Sequence, residues 1–149
     1  MLTYLIDGNN LIGKIKQLRE LQKKDKQGVR EKLALRLDTY FSNKNQKVIL
    51  FFDGFKAEAI HAGKIKIVYS ENKSADEELK NQIEITKNKR TITLVTSDSN
   101  LAQFGKVCGC TVIGSDKFAM ELFGKQKDLD EDELAKSISQ QEIKNLFGV

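Results

Sequence analysis

The chain has 149 residues, 40% of them hydrophobic and 31% charged, a composition typical of one globular domain with a full hydrophobic core. No apolar run approaches the roughly 18 residues that a transmembrane helix needs, so we expect no membrane span. The net charge of +4 is compatible with an anionic partner without requiring one.

Short runs rich in Val, Ile, Leu, Phe and Thr alternate with helical patterns along the chain. The predicted strands are, in chain order, Thr3–Ile6, Val48–Phe52, Ile65–Tyr69, Ile92–Thr96 and Thr111–Ile113. The predicted helices are one that ends near Phe41 and others at Ala75–Thr86, Asn100–Val107 and Lys117–Phe123. Strands that alternate with helices form mostly parallel sheets with helices on both faces. We therefore predict an α/β fold with a mostly parallel sheet of about five strands.

Two segments depart from this alternation. Lys14–Gln27 is strongly charged and fits either a broken helix or a mobile loop. Residues 125–149, called the tail below, are polar and acidic with helix-start patterns, so we predict a helical C-terminal appendage to a domain at residues 1–124. Apolar side chains of the tail could dock on this domain, which we favour, or on another protein or a second copy of the chain.

The cysteines and the N-terminus bear on compartment and chemistry. Cys108 and Cys110 are the only cysteines, and their spacing has poor geometry for a disulfide. We interpret them as packed thiols, because a metal site with the lone His61 would need a C-x-x-C spacing or a second ligand pair. The N-terminal residues lack the basic stretch and cleavage site of a secretory signal, so we expect a cytoplasmic protein.

Acidic residues follow most of the predicted strands. Strands one, two, four and five are followed by Asp7, Asp53, Asp98 and Asp116, and the helix after strand three begins with Asp76, Glu77 and Glu78. Because the carboxyl ends of parallel strands meet at one edge of a sheet, we expect these acids to lie together. Carboxylates about 4 Å apart repel by roughly 4 kcal/mol at an effective dielectric of 20, so a cluster indicates a cation. Oxygen ligands without His or Cys favour Mg²⁺ or Mn²⁺.

Each acid also has a structural interpretation. Asp98, in the sequence SDSN, could cap the helix that follows it, and Ser74-x-x-Glu77 fits a capping box. Asp is common at strand ends because its side chain accepts hydrogen bonds from local amides. The convergence of several acids at one edge is what favours a functional interpretation.

Four segments together resemble a known family. They are, in chain order, LIDGNNLIG, VILFFDGF, IKIVYSENKSADEEL and ITLVTSDSNLAQFGKVCGCTVIGSDKFAMEL. They are similar to the NYN domain of the YacP-like branch of the PIN-like nucleases, over about residues 1–123. The resemblance implies a three-layer α/β/α, Rossmann-like (PIN-like) fold and a metal-dependent ribonuclease with an acidic Mg²⁺ or Mn²⁺ site. Endonucleolytic hydrolysis of RNA phosphodiester bonds is the expected mode.

The resemblance also implies roles for single residues. The catalytic positions are matched by Asp7, Asn10, Asp76 and Asp98. The metal ligands would be Asp7, Asp76 and Asp98, with Asp53 and Glu77 as further candidates. Asn10 would orient a ligand or a metal-bound water. Asn9 stands where relatives usually carry a tyrosine or another larger residue.

Basic residues crowd the segment after the first acidic motif. The tail holds 4 basic and 6 acidic residues, which leaves 21 basic and 15 acidic residues, a net charge of +6, in residues 1–124. A basic flank beside an acidic centre could bind phosphates, with a solvated helix face as the alternative. The segment lacks interleaved aromatic residues, so we expect no sequence-selective RNA readout. The candidate RNA-binding residues are Lys23, Lys24, Lys26 and Arg30.

Three functions remain open. We favour a metal-dependent ribonuclease acting on RNA. Another Mg²⁺-dependent phosphoryl-transfer enzyme or phosphatase is disfavoured because the first strand lacks a D-x-D pair. A catalytically silent RNA- or protein-binding module is disfavoured because Asp7, Asp76 and Asp98 are all present, although intact acids do not prove turnover. The sequence does not identify the RNA target, the endo or exo mode of cleavage, the number of metal ions, the oligomeric state or the role of residues 125–149.

Overall fold

The computed structural model describes residues 1–124, which form a five-stranded sheet with strand order β3-β2-β1-β4-β5. The strands are β1 (Leu2–Asp7), β2 (Gln46–Phe52), β3 (Ile65–Tyr69), β4 (Ile92–Val95) and β5 (Thr111–Ile113). The helices are α1 (Gly8–Gly13), α2 (Lys16–Gln22), α3 (Lys26–Phe41), α4 (Ala75–Ile85), α5 (Ser99–Cys108) and α6 (Ser115–Phe123), with a 3₁₀ turn at Lys89–Thr91. Every neighbouring pair of strands is parallel.

Two hydrophobic cores cover the two faces of the sheet. Successive side chains of a strand point to opposite faces, so Ile6 packs with α1, α2, α3 and α6, whereas Leu5 packs with α4 and α5. Burial on both faces explains why β2 is apolar over five consecutive residues, Val48–Phe52. The predicted three-layer α/β/α fold is confirmed.

The chain between β1 and β2 differs from the sequence prediction. The predicted helices include none directly after the first strand. The structure has α1 there, and its Leu11 and Ile12 are fully buried against the sheet. Lys14–Gln27 forms a broken helix, since α2 ends at Gln22 and α3 begins at Lys26. The predicted helical tail lies outside the described residues.

None of the helices in residues 1–124 combines the length and apolar character that crossing a membrane requires. The longest of them, α3, instead alternates buried residues such as Leu33 and Leu37 with exposed charged positions.

Gly8 sits where β1 passes directly into α1. A Cβ atom added there would lie 2.6 Å from the Phe51 carbonyl oxygen and 2.7 Å from the Phe52 ring. Backbone and core ring leave no room for a side chain, so glycine lets α1 begin immediately against β2. This tight junction fixes Asp7, Asn9 and Asn10 relative to the sheet.

We expect Gly8→Ala to destabilise the protein by about 1–3 kcal/mol, because the added methyl group overpacks a site closed by backbone. Gly13→Ala is the matched control at the other end of α1, where a Cβ would meet nothing within 4 Å. Its expected effect is neutral or stabilising by up to about 1 kcal/mol, from higher helix propensity. Urea unfolding measures both, and equal stability of Gly8→Ala and wild type would contradict the close approach.

Candidate functional site

The predicted acids meet at the carboxyl-terminal edge of the sheet, called the acidic edge below. The chain passes from β1 outward through β2 to β3 and then returns to add β4 on the other side of β1. Ligands of open α/β sheets bind in the crevice at such a switch point. Ile6 pairs with Val95 in the β1–β4 register, so the next residues, Asp7 and Thr96, lie side by side at this crevice.

Thr96 holds the Asp7 carboxylate. The Thr96 hydroxyl donates to Asp7 Oδ2 at 3.0 Å and accepts a hydrogen bond from the Asp98 backbone N–H at 3.1 Å. Because the hydroxyl oxygen receives the amide proton, its own proton is left for Asp7. Thr96 is 1% exposed, so water does not compete for this bond. The orientation of Asp7 is thereby set from β4, across the switch point.

The surroundings of the Asp7 carboxylate disfavour its ionised form. Burial, followed by the charges of Asp53 and Asp76, raises the pKa of Asp7 to about 6. The hydrogen bonds from Thr96 and from the Asn10 backbone act in the opposite direction and lower it. Asp53 and Asp76 therefore lie close enough to Asp7 for their charges to disfavour its ionised form.

Asp53 and Asp98 each use one carboxylate oxygen for the fold. Asp53 Oδ1 accepts the backbone N–H of Ala75 at 2.8 Å and so holds the start of α4. Asp98 Oδ1 caps α5 by accepting the N–H of Leu101 at 2.9 Å. The structural interpretation of Asp98 is thus correct for one oxygen. Within the described residues the second oxygen of each acid accepts no hydrogen bond, and each residue is exposed.

Asp76 and Glu77 differ in their relation to this centre. Asp76, in the first turn of α4, acts on Asp7 by its charge and also pairs with Lys80 at 3.1 Å. Glu77 is exposed, and its backbone N–H is capped by the Ser74 hydroxyl at 3.1 Å. The charge of Glu77 is not among those that act on Asp7. The geometry therefore favours Asp76 over Glu77 as a member of the centre.

Asn10 joins three strand ends through one oxygen. Its Oδ1 accepts the Ser97 backbone N–H at 2.8 Å and the Ser115 hydroxyl at 2.6 Å. Ser97 continues the network by donating from its hydroxyl to Asp116 at 3.3 Å. With Oδ1 occupied, Asn10 has only its amide N–H groups left for a ligand. It can donate to a phosphate or water, which fits the predicted orienting role better than metal coordination.

Asn9 ties β1 to the loop on the opposite side. Its Oδ1 accepts the backbone N–H of Asp53 at 2.9 Å. The adjacent asparagines therefore fasten both neighbours of β1, one towards β2 and the other towards β4. We did not predict this role for Asn9, and we also missed Thr96, Ser97 and Ser115. Their signal in the sequence is the hydroxyl residue next to the acid in TSD and GSD.

Arg30 lies inside the fold rather than on a phosphate-binding surface. Its side chain is 3% exposed, and its guanidinium donates to the carbonyl oxygens of Asp53 at 2.6 Å and Phe55 at 3.3 Å. The guanidinium also lies 5.0 Å from the Phe52 ring centroid and 5.6 Å from that of Tyr69. The prediction that Arg30 binds RNA is therefore corrected. The guanidinium is buried and holds the loop after β2 instead of facing solvent.

The candidate RNA-binding lysines are exposed. Lys23 and Lys24 follow α2, and Lys26 is the first residue of α3. Lys23 pairs with Glu20 at 3.2 Å, an exposed ion pair of small energetic value. Because Arg30 reaches the loop after β2 from the second turn of α3, the start of α3, with Lys26, lies towards the acidic edge.

A sequence model of the YacP-like NYN domain matches residues 4–146. The chain belongs to the YacP-like NYN domain family. The resemblance of the four motifs is confirmed, and the chain has a nuclease-superfamily fold. The match also continues into the tail, whereas we expected the resemblance to end near residue 123.

Crystal structures of Rae1 (YacP) from Bacillus subtilis share the fold of this NYN domain. A tryptophan-to-leucine mutant of Rae1 is 23% identical, with a TM-score of 0.70 over 97% of this chain and 85% of that one. A second Rae1 structure is 22% identical, with a TM-score of 0.69 over 99% of this chain and 84% of that one. Likeness at this identity shows the fold alone. No curated protein matches the chain.

The oxygen donors of this NYN domain fit Mg²⁺ or Mn²⁺ in kind, but they do not form a closed cage. Within residues 1–124, no group of three or more His, Cys, Asp or Glu side chains is arranged to hold a metal ion. Mg²⁺ usually keeps several waters and binds one or two carboxylates together with substrate phosphates. One or two of the carboxylates of Asp7, Asp53 and Asp76 could therefore bind a cation whose remaining ligands are waters.

Asp7→Asn should stabilise the metal-free NYN domain near neutral pH. The pKa of Asp7 is raised from 3.8 to about 6, so the folded state holds the ionised carboxylate at a cost. The folded state binds the Asp7 proton more tightly than the unfolded state does. This contribution to the free energy of unfolding is fully present below pH 3.8 and is lost as the pH rises through about 6. The advantage of the variant should grow from near zero at pH 4 to about 1–3 kcal/mol at pH 7.5.

Urea unfolding in EDTA across this pH range measures the difference. Asp116→Asn, which changes an exposed acid at the same edge, is the matched control. A variant less stable than wild type at every pH would instead mean that Asp7 serves the hydrogen bonding of the fold.

Proposed function

We propose that this protein is a metal-dependent ribonuclease that hydrolyses RNA phosphodiester bonds at the acidic edge. The observation that carries the proposal is the Asp7 carboxylate, oriented by Thr96 at the switch point of the sheet and stressed by Asp53 and Asp76. Repulsion of this kind costs stability, and a bound cation would remove it. Membership of the YacP-like NYN family supports a nuclease over other uses of a cation at this position.

Asp7, Asp76 and Asp53 would hold Mg²⁺ or Mn²⁺, with the remaining oxygen of Asp98 as a further ligand. When bound, such an ion supplies activation of a water molecule and stabilises negative charge on the leaving oxygen. Thr96 keeps the Asp7 carboxylate in one orientation, so no reorganisation is needed during the reaction. The amide N–H groups of Asn10 are free to donate to a phosphate oxygen beside these acids.

A catalytically silent RNA-binding module of the same fold is the second candidate. It is favoured by one observation, the absence of a three-ligand metal group within residues 1–124. The two candidates share the RNA partner and differ in turnover. A direct cleavage assay therefore separates them.

We expect the purified protein to cleave RNA from a panel of structured and single-stranded substrates with Mg²⁺ or Mn²⁺ and not with EDTA. Asp7→Asn should lower the cleavage rate by roughly 100-fold or more, the scale for removing one preorganised charge-stabilising group. Glu84→Gln is the control, because it changes an exposed acid near the end of α4, outside the acidic edge. Cleavage that persists undiminished in EDTA, or in folded Asp7→Asn, would overturn the proposal.

Lys23, Lys24 and Lys26 should contribute to RNA binding through phosphates. Replacing all three by Ala should weaken binding and flatten its salt dependence by up to about 0.7 per lost contact on single strands.

The matched control is a triple Ala variant of exposed lysines near the opposite edge of the sheet. Lys47 lies near the start of β2, Lys87 follows α4, and Lys106 is in the last turn of α5. Binding titrations from 50 to 300 mM salt measure the slopes. Equal slopes for the two triple variants would assign Lys23, Lys24 and Lys26 to a solvated surface.

A further inference from the structure

Phe55 is an exposed aromatic residue at the acidic edge. Its side chain is 60% exposed, and no other Phe or Tyr in residues 1–124 is classed as exposed. It lies two residues after Asp53, in the loop that follows β2. Single exposed apolar side chains are common on protein surfaces, so the position of Phe55 beside Asp53 and the anchoring of its loop matter more than its exposure.

Arg30 holds the backbone at Phe55 from the interior of the protein. The buried guanidinium donates from its two terminal nitrogens to the carbonyl oxygens of Asp53 and Phe55, and it lies against the rings of Phe52 and Tyr69. A guanidinium is costly to bury, and here Nη1 and Nη2 bind two carbonyls of a surface loop, while Nε has no partner among the described residues. The loop is thereby anchored in the hydrophobic core.

Further hydrogen bonds fix the same loop from both sides. The Gly54 N–H donates to the Ser70 hydroxyl at 3.0 Å, and the Gly54 carbonyl accepts the Glu71 N–H at 2.8 Å. The Asp53 N–H donates to Asn9 at 2.9 Å, which joins the loop to the residue two positions after Asp7. The backbone is therefore rigid up to Phe55, while the Phe55 ring remains in solvent.

Phe55 is also close to the reaction centre proposed above. Two residues span at most roughly 7 Å, so the Phe55 backbone lies within that distance of Asp53. This reach allows the ring to contact a nucleotide next to one whose phosphate lies at Asp53. Lys56, the next residue, is exposed and supplies a positive charge beside the ring.

An RNA base fits this surface better than a protein does. A protein interface needs neighbouring apolar side chains, but the other exposed large hydrophobic residues of the described chain lie elsewhere. Met1 and Leu2 begin β1, Ile85 and Val107 are at the ends of α4 and α5 on the opposite edge, and Leu35 is in the middle of α3. An exposed ring on an anchored loop, next to the exposed Lys56 and to the proposed metal centre, resembles the aromatic platforms on which single-stranded bases stack.

We propose that Phe55 is a base-stacking residue, which binds a nucleotide adjacent to the phosphate at the acidic edge of single-stranded RNA. The proposal rests on the proposed function in taking RNA as the ligand, and it does not require cleavage. Stacking accepts any base, so Phe55 adds affinity and position along the strand without sequence selectivity.

A fluorescence experiment tests the contact directly, because the chain contains no tryptophan. Phe55→Trp places a single fluorophore on the platform, and Val107→Trp places one at the opposite edge as the control. Titration in Mg²⁺ with a single-stranded oligoribonucleotide, whose phosphorothioate backbone resists hydrolysis, should quench Phe55→Trp and leave Val107→Trp unchanged. An oligonucleotide of equal length and charge with abasic sites should quench Phe55→Trp less. Equal quenching by both oligonucleotides, or none, would overturn the proposal.

Binding affinities give a second readout. Phe55→Ala should weaken binding of the oligoribonucleotide by roughly 5- to 150-fold, whereas Phe55→Tyr and Phe55→Trp should bind as wild type does. The salt slope should stay unchanged, because no phosphate contact is lost. Val107→Ala is the control for loss of an exposed apolar side chain, and thermal melts verify folding.

The outcomes separate this inference from the proposed function. Stacking without RNA cleavage would support Phe55 as a platform and contradict the nuclease. If Phe55→Ala cleaves RNA and binds it with wild-type affinity, the stacking role of Phe55 is contradicted and the nuclease proposal is not. The exposed ring would then be a candidate contact for a protein partner.

Discussion

The hydrogen bond from Thr96 to Asp7 joins β4 to β1 where the strand order reverses, and the candidate site is arranged around it. The Asp98 N–H fixes the direction of the Thr96 hydroxyl, so the carboxylate of Asp7 is oriented before any ligand arrives. Gly8 makes this possible by letting α1 start directly against β2. One residue without a side chain and one buried hydroxyl thus determine where the charge of Asp7 is held.

Several other polar groups at the acidic edge use one atom for hydrogen bonds within the fold and keep another atom available to a ligand. Asp53 and Asp98 each commit one oxygen to a helix start, and Asn10 commits its oxygen to two donors from neighbouring strand ends. What is left for a ligand is a second carboxylate oxygen on each acid and the amide N–H groups of Asn10. This combination suits a hydrated cation bridged to a phosphate, since it offers both anionic acceptors and a neutral donor.

The sequence predicts the layered fold well, because strands buried on both faces leave continuous apolar runs. It also locates the acids, since Asp7 and Asp53 end strands that are easy to recognise. It misses α1, where local turn propensity is overridden by packing on the sheet. It misses Thr96, because the contact with Asp7 spans 89 residues of chain and the local TSD pattern does not identify Asp7 as the partner. Arg30 was predicted to face solvent because it lies in a basic segment. Backbone carbonyls of the distant loop after β2 accept its hydrogen bonds inside the fold instead.

We propose that the fold holds Asp7 ionised, at a cost in folding stability, so that its carboxylate can bind a cation. An NMR titration of the Asp7 carboxyl carbon, with and without Mg²⁺, measures this directly. Without Mg²⁺ the account predicts a pKa near the value of about 6 that burial and the charges of Asp53 and Asp76 produce. With Mg²⁺ the pKa should fall, because a cation stabilises the ionised form. An Asp7 that titrates near 3.8 and ignores Mg²⁺ would contradict the account.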